Sequence, residues 1–231
     1  MEAVKLSRTQ LKELHHSMKK EPLHNYEMLW VLESCLETGA GAVFGLGSFP
    51  WDMGLLAVHR RCAWLSLTDE TRLEPLLAQL PELEVYRFYT ADPGVLDMLA
   101  RWLPGGARHQ SGLWVRPLTR SWKKRFSVSL RFSPDPHTSG GWDYQVFDPE
   151  GLVATCSSQS AVPPWQEVMK WAPLRSGQYW TEQALGAVTA NLLARDCPVV
   201  VRAESDEEPA LLESLGYREF CQLYYYIAPG E

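Results

Sequence analysis

Pro209-Ala210-Leu211-Leu212-Glu213-Ser214-Leu215-Gly216-Tyr217, followed by the aromatic run Leu223-Tyr224-Tyr225-Tyr226, is the stretch on which the reading of this chain turns. It predicts a short helix over Glu207–Leu215 closed by Gly216, whose missing Cβ permits a positive φ, and then a final strand over Phe220–Ile227. Upstream, Pro198–Ala203 reads as a buried strand. Before it, Leu185, Val188, Leu192 and Leu193 line one face of a long helix, Thr181–Ala194, with Thr181 as its expected N-cap. A strand over Gln166–Leu174 leads into that helix, despite Pro173. Further back lies a hairpin, Trp142–Phe147 and Leu152–Ser157, around the turn Asp148-Pro149-Glu150-Gly151, and before it Phe126–Phe132 alternates as a strand.

The first half alternates helix and strand signals. Ser7 and Gln10 form a capping box, and Leu6 can staple onto Leu11, so a helix is expected to run to about Lys20 with Leu11, Leu14 and Met18 inward. Pro22 stops it. A second helix from about Asn25 carries Leu29, Leu32 and Leu36 and ends at Gly39. Short apolar runs at Ala42–Leu46, Gly54–His59 and Ala63–Leu67 read as strands. Leu73, Leu76, Leu77 and Leu80 mark a helix, Val85–Tyr89 a strand, Val95–Leu103 a helix and Gly112–Arg116 a strand. The basic, aperiodic segment Pro117–Lys124 then divides the chain into expected domains 1–120 and 121–231. Both are of α/β class, with helices layered on a mixed sheet.

Composition narrows the function classes. The chain has 231 residues, 45% of them hydrophobic and 22% charged, enough for a large core and unlike a disordered chain. Lys and Arg number 22 against 28 Asp and Glu, a net charge of −6, which argues against a general nucleic-acid binder. Five scattered cysteines without a C-x-x-C pair indicate neither a disulfide framework nor a zinc site. The start, MEAVKLSRTQLKELHH, lacks the apolar core of a secretory signal, and no stretch has the apolar length of a membrane span, so a cytoplasmic protein without membrane association is expected. Ten tryptophans suggest large packed interfaces or an aromatic-lined cleft.

The order hairpin, strand, long helix, strand, short helix, strand over residues 142–228 resembles the GNAT superfamily of N-acyltransferases. Residues 209–217 are similar to that family's A-x-x-L-Y-E-x-L-G-F helix and turn, and the α/β first half resembles an N-terminal half-domain of the same build. The resemblance implies two GNAT-like half-domains in tandem, each a mixed sheet flanked by helices. It also implies acetyl-CoA or another acyl-CoA as cofactor, and transfer of an acetyl or short acyl group to a small-molecule or peptide amine. By the same resemblance the cofactor lies along Leu174 and Ser176, with its pyrophosphate on the loop Thr181, Glu182, Gln183, Ala184, Gly186 and Ala187, where a helix start offers free amides. Only Ala184 and Gly186 agree with the family's R/Q-x-x-G-x-G/A pattern, and Glu182 carries a negative charge toward the phosphates. Leu212 stands where many members have an acidic Tyr.

Acyl transfer to an amine requires a base and an acid. Glu167, on the strand leading to the cofactor loop, is the candidate base; Tyr179, Tyr217 or one of Tyr224–Tyr226 can substitute for the acid, with Tyr224 as the candidate. The departures at Glu182 and Leu212 favour the alternative, a degenerate, non-catalytic GNAT-fold module for binding or scaffolding. Elsewhere the signals are weak. His15-His16 has no second ligand pair, so no metal site is expected. Neither Gly39-Ala40-Gly41 nor Gly45-Leu46-Gly47 precedes Lys-Ser/Thr, and Ser157-Ser158-Gln159-Ser160 lacks a nucleophile elbow.

Overall fold

The computed structural model describes residues 2–48, 54–67, 69–80, 87–118, 125–134, 141–175 and 177–229. They form two compact units, Met1–Ser111 with Gln222–Glu231, and Gly112–Cys221. The expected boundary at residue 120 lies outside the described residues. The chain's last ten residues cluster with its first unit, because the final strand changes units part-way along.

Unit 1 opens with β1 (Val4–Lys5), α1 (Arg8–Met18) and α2 (Tyr26–Thr38). The capping box at the start of α1 is complete: the Ser7 amide donates to Gln10 Oε1 at 2.8 Å, and the Gln10 amide donates to Ser7 Oγ at 3.4 Å. Gly39 ends α2 at φ 71°. There follow β2 (Ala42–Leu46), β3 (Gly54–His59), β4 (Cys62–Leu67), a single 3₁₀ turn (Glu70–Arg72), α3 (Leu73–Leu77), β5 (Arg87–Thr90) and α4 (Pro93–Trp102). β6 (Ala107–Arg116) begins in this unit, and the end of β12 (Arg218–Ile227) pairs with β5. Strand order is β1-β2-β3-β4-β5-β12, antiparallel except for the parallel pair β4–β5.

Alternation along these strands sorts the core into two layers. Val43, Leu55, Ala57 and Trp64 pack with Leu11, Leu14, Val31 and Leu32 of α1 and α2. Leu46, Leu56, Ala63 and Phe88 pack with Leu73, Leu76, Val95 and Leu99 of α3 and α4.

Unit 2 contains β7 (Ser129–Pro134), β8 (Trp142–Asp148), β9 (Gly151–Val162), β10 (Trp165–Pro173), α5 (Gln178–Leu193), β11 (Val199–Ala203) and α6 (Glu208–Ser214). Its strands run in the order β6-β11-β10-β9-β8-β7, and β10–β11 is the parallel pair. One face carries Val146, Ala154, Val168, Val199 and Val201 onto Leu185, Val188 and Leu192 of α5 and Leu211, Leu212 and Leu215 of α6. α6 ends in a Schellman motif. The Gly216 amide donates to Glu213 O at 2.8 Å and the Tyr217 amide to Leu212 O at 2.9 Å, with Gly216 at φ 77°. Tyr217 and Leu212 then supply the apolar contact that seals the turn.

Several expected boundaries move: β6 starts at Ala107 rather than Gly112, and β9 runs to Val162 rather than Ser157. α5 starts at Gln178 rather than Thr181, behind Gly177 at φ 118°, and β7 starts at Ser129 rather than Phe126. Gly177 caps without a side-chain bond, so no Ser/Thr/Asp/Asn signal marks the start. Thr181, a good cap by residue type, lies inside the helix.

Two polar side chains in the unit 2 core, Thr189 and Tyr217, pair with each other. Thr189 Oγ1 donates to Leu185 O at 2.7 Å and accepts from the Tyr217 hydroxyl at 2.7 Å. Burial pushes the Tyr144 phenol and the Cys156 thiol each up to about 12, and pushes the Tyr217 phenol up as well. These groups stay neutral in the folded protein at a pH where they ionise in the unfolded chain, near 9.0 for the thiol and 10.0 for the phenols. Their contribution is therefore fully present below pH 9 and lost as the pH rises toward 12. Urea denaturation should show stability falling between about pH 8 and about pH 11. Tyr217→Phe should cost about 1 kcal/mol at about pH 8 for the lost hydrogen bond and lose less than the wild type on going to about pH 11.

Candidate functional site

The site of unit 2 is set by a limit on strand pairing. β10 pairs in parallel with β11 at Gln166, Glu167 and Val168, opposite Val199, Val200 and Val201. β10 then continues to Pro173 along β9, and β11 continues to Ala203 along β6, without further pairing to each other among the described residues. The register of β10 on β9 slips between Val168 and Lys170, which leaves Met169 as an extra, exposed residue. A bulge of this kind bends its strand and re-aims the residues beyond it. Past Val168 the edge of β10 that faced β11 opens into a wedge.

α5 begins shortly after β10 ends, at Gln178. Its first-turn amides, at Gln178 and Tyr179, have no acceptor within the helix, and the macrodipole adds partial positive charge there. Trp180 already donates to Gly177 O at 3.1 Å. Arg175 sits beside this start, with its guanidinium 5.2 Å from the Trp180 ring centre and paired to Asp148 at 2.6 Å and Glu150 at 3.2 Å.

The residues expected to hold the pyrophosphate occupy the interior of α5. Thr181, Glu182 and Gln183 are half-buried, and Gln183 Oε1 accepts the Ser127 amide at 2.8 Å. Ala184 and Ala187 are buried in the core. A Cβ on Gly186 would fall 2.2 Å from Cε1 of Phe126, so this glycine admits an aromatic ring. Amides at these interior positions lie beyond the first turn, where helical bonding uses them. Leu174 is exposed and donates its amide to Val153 O at 2.8 Å; Ser176 lies outside the described residues.

Glu167 is on the face of β10 turned away from α5, at the apex of the wedge. Only 2% of it is exposed, and Arg202 of β11 donates to its Oε1 from Nε at 2.8 Å. That partner, 35 residues downstream, carries no sequence signal; the parallel register of β10 and β11 brings it there. Tyr224 belongs to unit 1, so the structure does not gather it with Glu167 in one unit. It packs against the α3 and α4 layer, and its hydroxyl donates to Gln222 Oε1 at 3.1 Å. Leu212, at the position of the family's acidic Tyr, is wholly buried. No cluster of metal-ligating side chains occurs among the described residues, and no helix there is long and apolar enough to cross a membrane.

Comparison with protein-family models gives no match, and comparison with curated protein sequences gives none. Solved structures do match. A Drosophila protein superposes with a TM-score of 0.69 at 12% identity over 99% of each chain. A GCN5-related N-acetyltransferase from Sphaerobacter thermophilus gives 0.61 at 11% identity, over 99% of this chain and 96% of that one. A tandem GNAT protein from the clavulanic acid biosynthesis pathway gives 0.55 at 14% identity, over 100% of this chain and 99% of that one. The chain has the GNAT fold. Two GNAT half-domains follow one another, and each places one parallel strand pair inside an otherwise antiparallel sheet.

The packing of Gly186 yields a test. In an exposed helix, Gly→Ala gains about 1 kcal/mol. Here Gly186→Ala must displace the Phe126 ring, so a net loss of about 1–2 kcal/mol is expected in chemical denaturation. Phe126→Ala in the same chain should restore the helix-propensity gain.

Proposed function

We propose that the protein is an N-acyltransferase that passes an acetyl or other short acyl group from acyl-CoA to the amine of a small molecule or peptide. The observation that carries this reading is the wedge between β10 and β11 with α5 starting at its mouth. An extended chain with amide groups can add to the freed edge of β10, and an anion can meet the amides of Gln178 and Tyr179. These features suit a pantetheine arm ending in phosphates, with the phosphates one turn earlier than Gln183–Ala187. The bound acyl thioester supplies an activated carbonyl.

In this reading Glu167 accepts the amine proton at the apex of the wedge, and Arg202 is a positioning residue whose hydrogen bond orients the carboxylate. The amine nitrogen bonds to the acyl carbon, the carbon–sulfur bond breaks, and the departing sulfur takes up a proton. A second reading, a non-catalytic GNAT-fold module, is favoured by the interior placement of Thr181–Ala187, which replaces the family's phosphate loop with continuous helix.

Calorimetric titration of the full chain with acetyl-CoA, followed by thiol-release assays on an amine panel, separates the two. Saturable binding with thiol release supports the transferase. Binding without turnover across the panel supports the module, and absence of binding overturns the cofactor site. Tyr179→Glu, which brings a negative charge to the first turn of the helix from an exposed position, should weaken acetyl-CoA binding by about ten-fold or more, less so at high salt. Glu167→Gln should lower kcat by about 100-fold or more with little change in KM; an unchanged kcat would remove Glu167 as the base.

A further inference from the structure

A cavity of about 140 Å3 opens in unit 1 where β4 and β5 part. The two strands pair in parallel from Cys62 to Trp64 opposite Arg87 to Tyr89, and beyond that point Leu65 and Ser66 diverge from Thr90 and Ala91. The last pair forms its wall: the rings of Trp64 and Tyr89 stack with centroids 5.3 Å apart and planes 15° apart. Trp30 meets Trp64 edge-on at 5.3 Å. From Tyr89 the aromatic surface continues along the sheet to Tyr225 at 5.5 Å and then to His109, which stacks on Tyr225 at 4.9 Å. Met28 and Leu223 complete the apolar lining.

The charge in this cavity has one sign. Glu27, in the first turn of α2, accepts the Trp64 indole N–H at Oε2, 2.9 Å away. A carboxylate on that N–H pushes electron density into the indole and deepens the negative potential of its face, which is where a cation binds an aromatic ring. None of the lining residues is Lys or Arg, and His24 is the one titratable base among them. An anion would meet repulsion here. An uncharged ligand would gain only apolar contact, whereas an ammonium ion with a flat apolar body gains both contact and charge.

We propose that the unit 1 cavity binds an organic ammonium ion of the arylalkylamine class, with its ring on the Trp64–Tyr89 wall and its ammonium toward Glu27. The site rests on unit 1 alone and is independent of the reaction proposed for unit 2. Calorimetric titration of the full chain with 2-phenylethylamine at about pH 7 tests it, with 2-phenylethanol and phenylacetate as neutral and anionic counterparts. The expected result is saturable binding of the amine at one site per chain, at least about ten-fold weaker binding of the alcohol, and none of the acid. Glu27→Gln should reduce amine affinity at least about ten-fold. Ser66→Trp, which fills the mouth from an exposed strand position, should abolish binding without shifting the thermal midpoint. If Glu27→Gln fails to fold, Ser66→Trp and the amine-to-alcohol ratio decide. No saturable binding of the amine, equal affinity for amine and alcohol, or full affinity in Ser66→Trp would overturn the proposal.

Discussion

Everything distinctive about unit 2 derives from how briefly β10 and β11 stay together. Three residues of parallel pairing, Gln166–Val168 on Val199–Val201, hold the sheet closed, and the extra residue at Met169 ends that contact. A continuous ladder would satisfy every strand amide and carbonyl and leave no opening. By breaking the ladder while both strands continue, the chain exposes one backbone edge and aims the β10 exit toward the start of α5. The cost of the open edge is limited because β10 keeps its pairing with β9 and β11 keeps its pairing with β6.

Unit 1 repeats the geometry with different contents. β4 and β5 also pair in parallel over three residues and then diverge. Between β10 and β11, unit 2 places the 16-residue α5, long enough to develop a macrodipole at its start. Between β4 and β5, unit 1 places a 3₁₀ turn and the five-residue α3, too short for that effect. Its opening is lined by stacked rings and a carboxylate. The same break in a sheet thus meets the start of a long helix in one unit and a wall of stacked rings in the other.

Periodicity makes most of this architecture legible. The capping box at Ser7, the stop at Gly39 and the strands Ala42–Leu46 and Gly54–His59 are local signals, and they fall where the pattern puts them. Gly216 is readable for the same reason, since the Schellman turn is closed by neighbours in sequence. The features that stay hidden depend on distance. The Glu167–Arg202 pair is created by parallel register across 35 residues. The two-residue β1 is too short to alternate, and its strand character comes from pairing with Phe44 and Gly45. The division of Tyr224 and Tyr226 from Tyr225 between the two faces of β12 follows the pleat, but which neighbours each face meets is fixed by β5, a partner strand far earlier in the chain.

The start of α5 shows why a residue-type signal can mislead at a site. Thr181 is a good N-cap by residue type, and it lies only four residues after Gly177. Tertiary packing overrides this. Once Leu185, Val188 and Leu192 are seated on the sheet, extending the helix backward costs no further nucleation. It also lets Trp180 join the partly buried rim of the core, while the Arg175 guanidinium packs over its ring. The glycine at 177 absorbs the φ of 118° that turns the chain from strand exit into helix, a value that a side chain would resist. The first-turn amides consequently lie at Gln178 and Tyr179, beside the wedge, while Ala184 and Ala187 are buried and Gly186 admits the Phe126 ring.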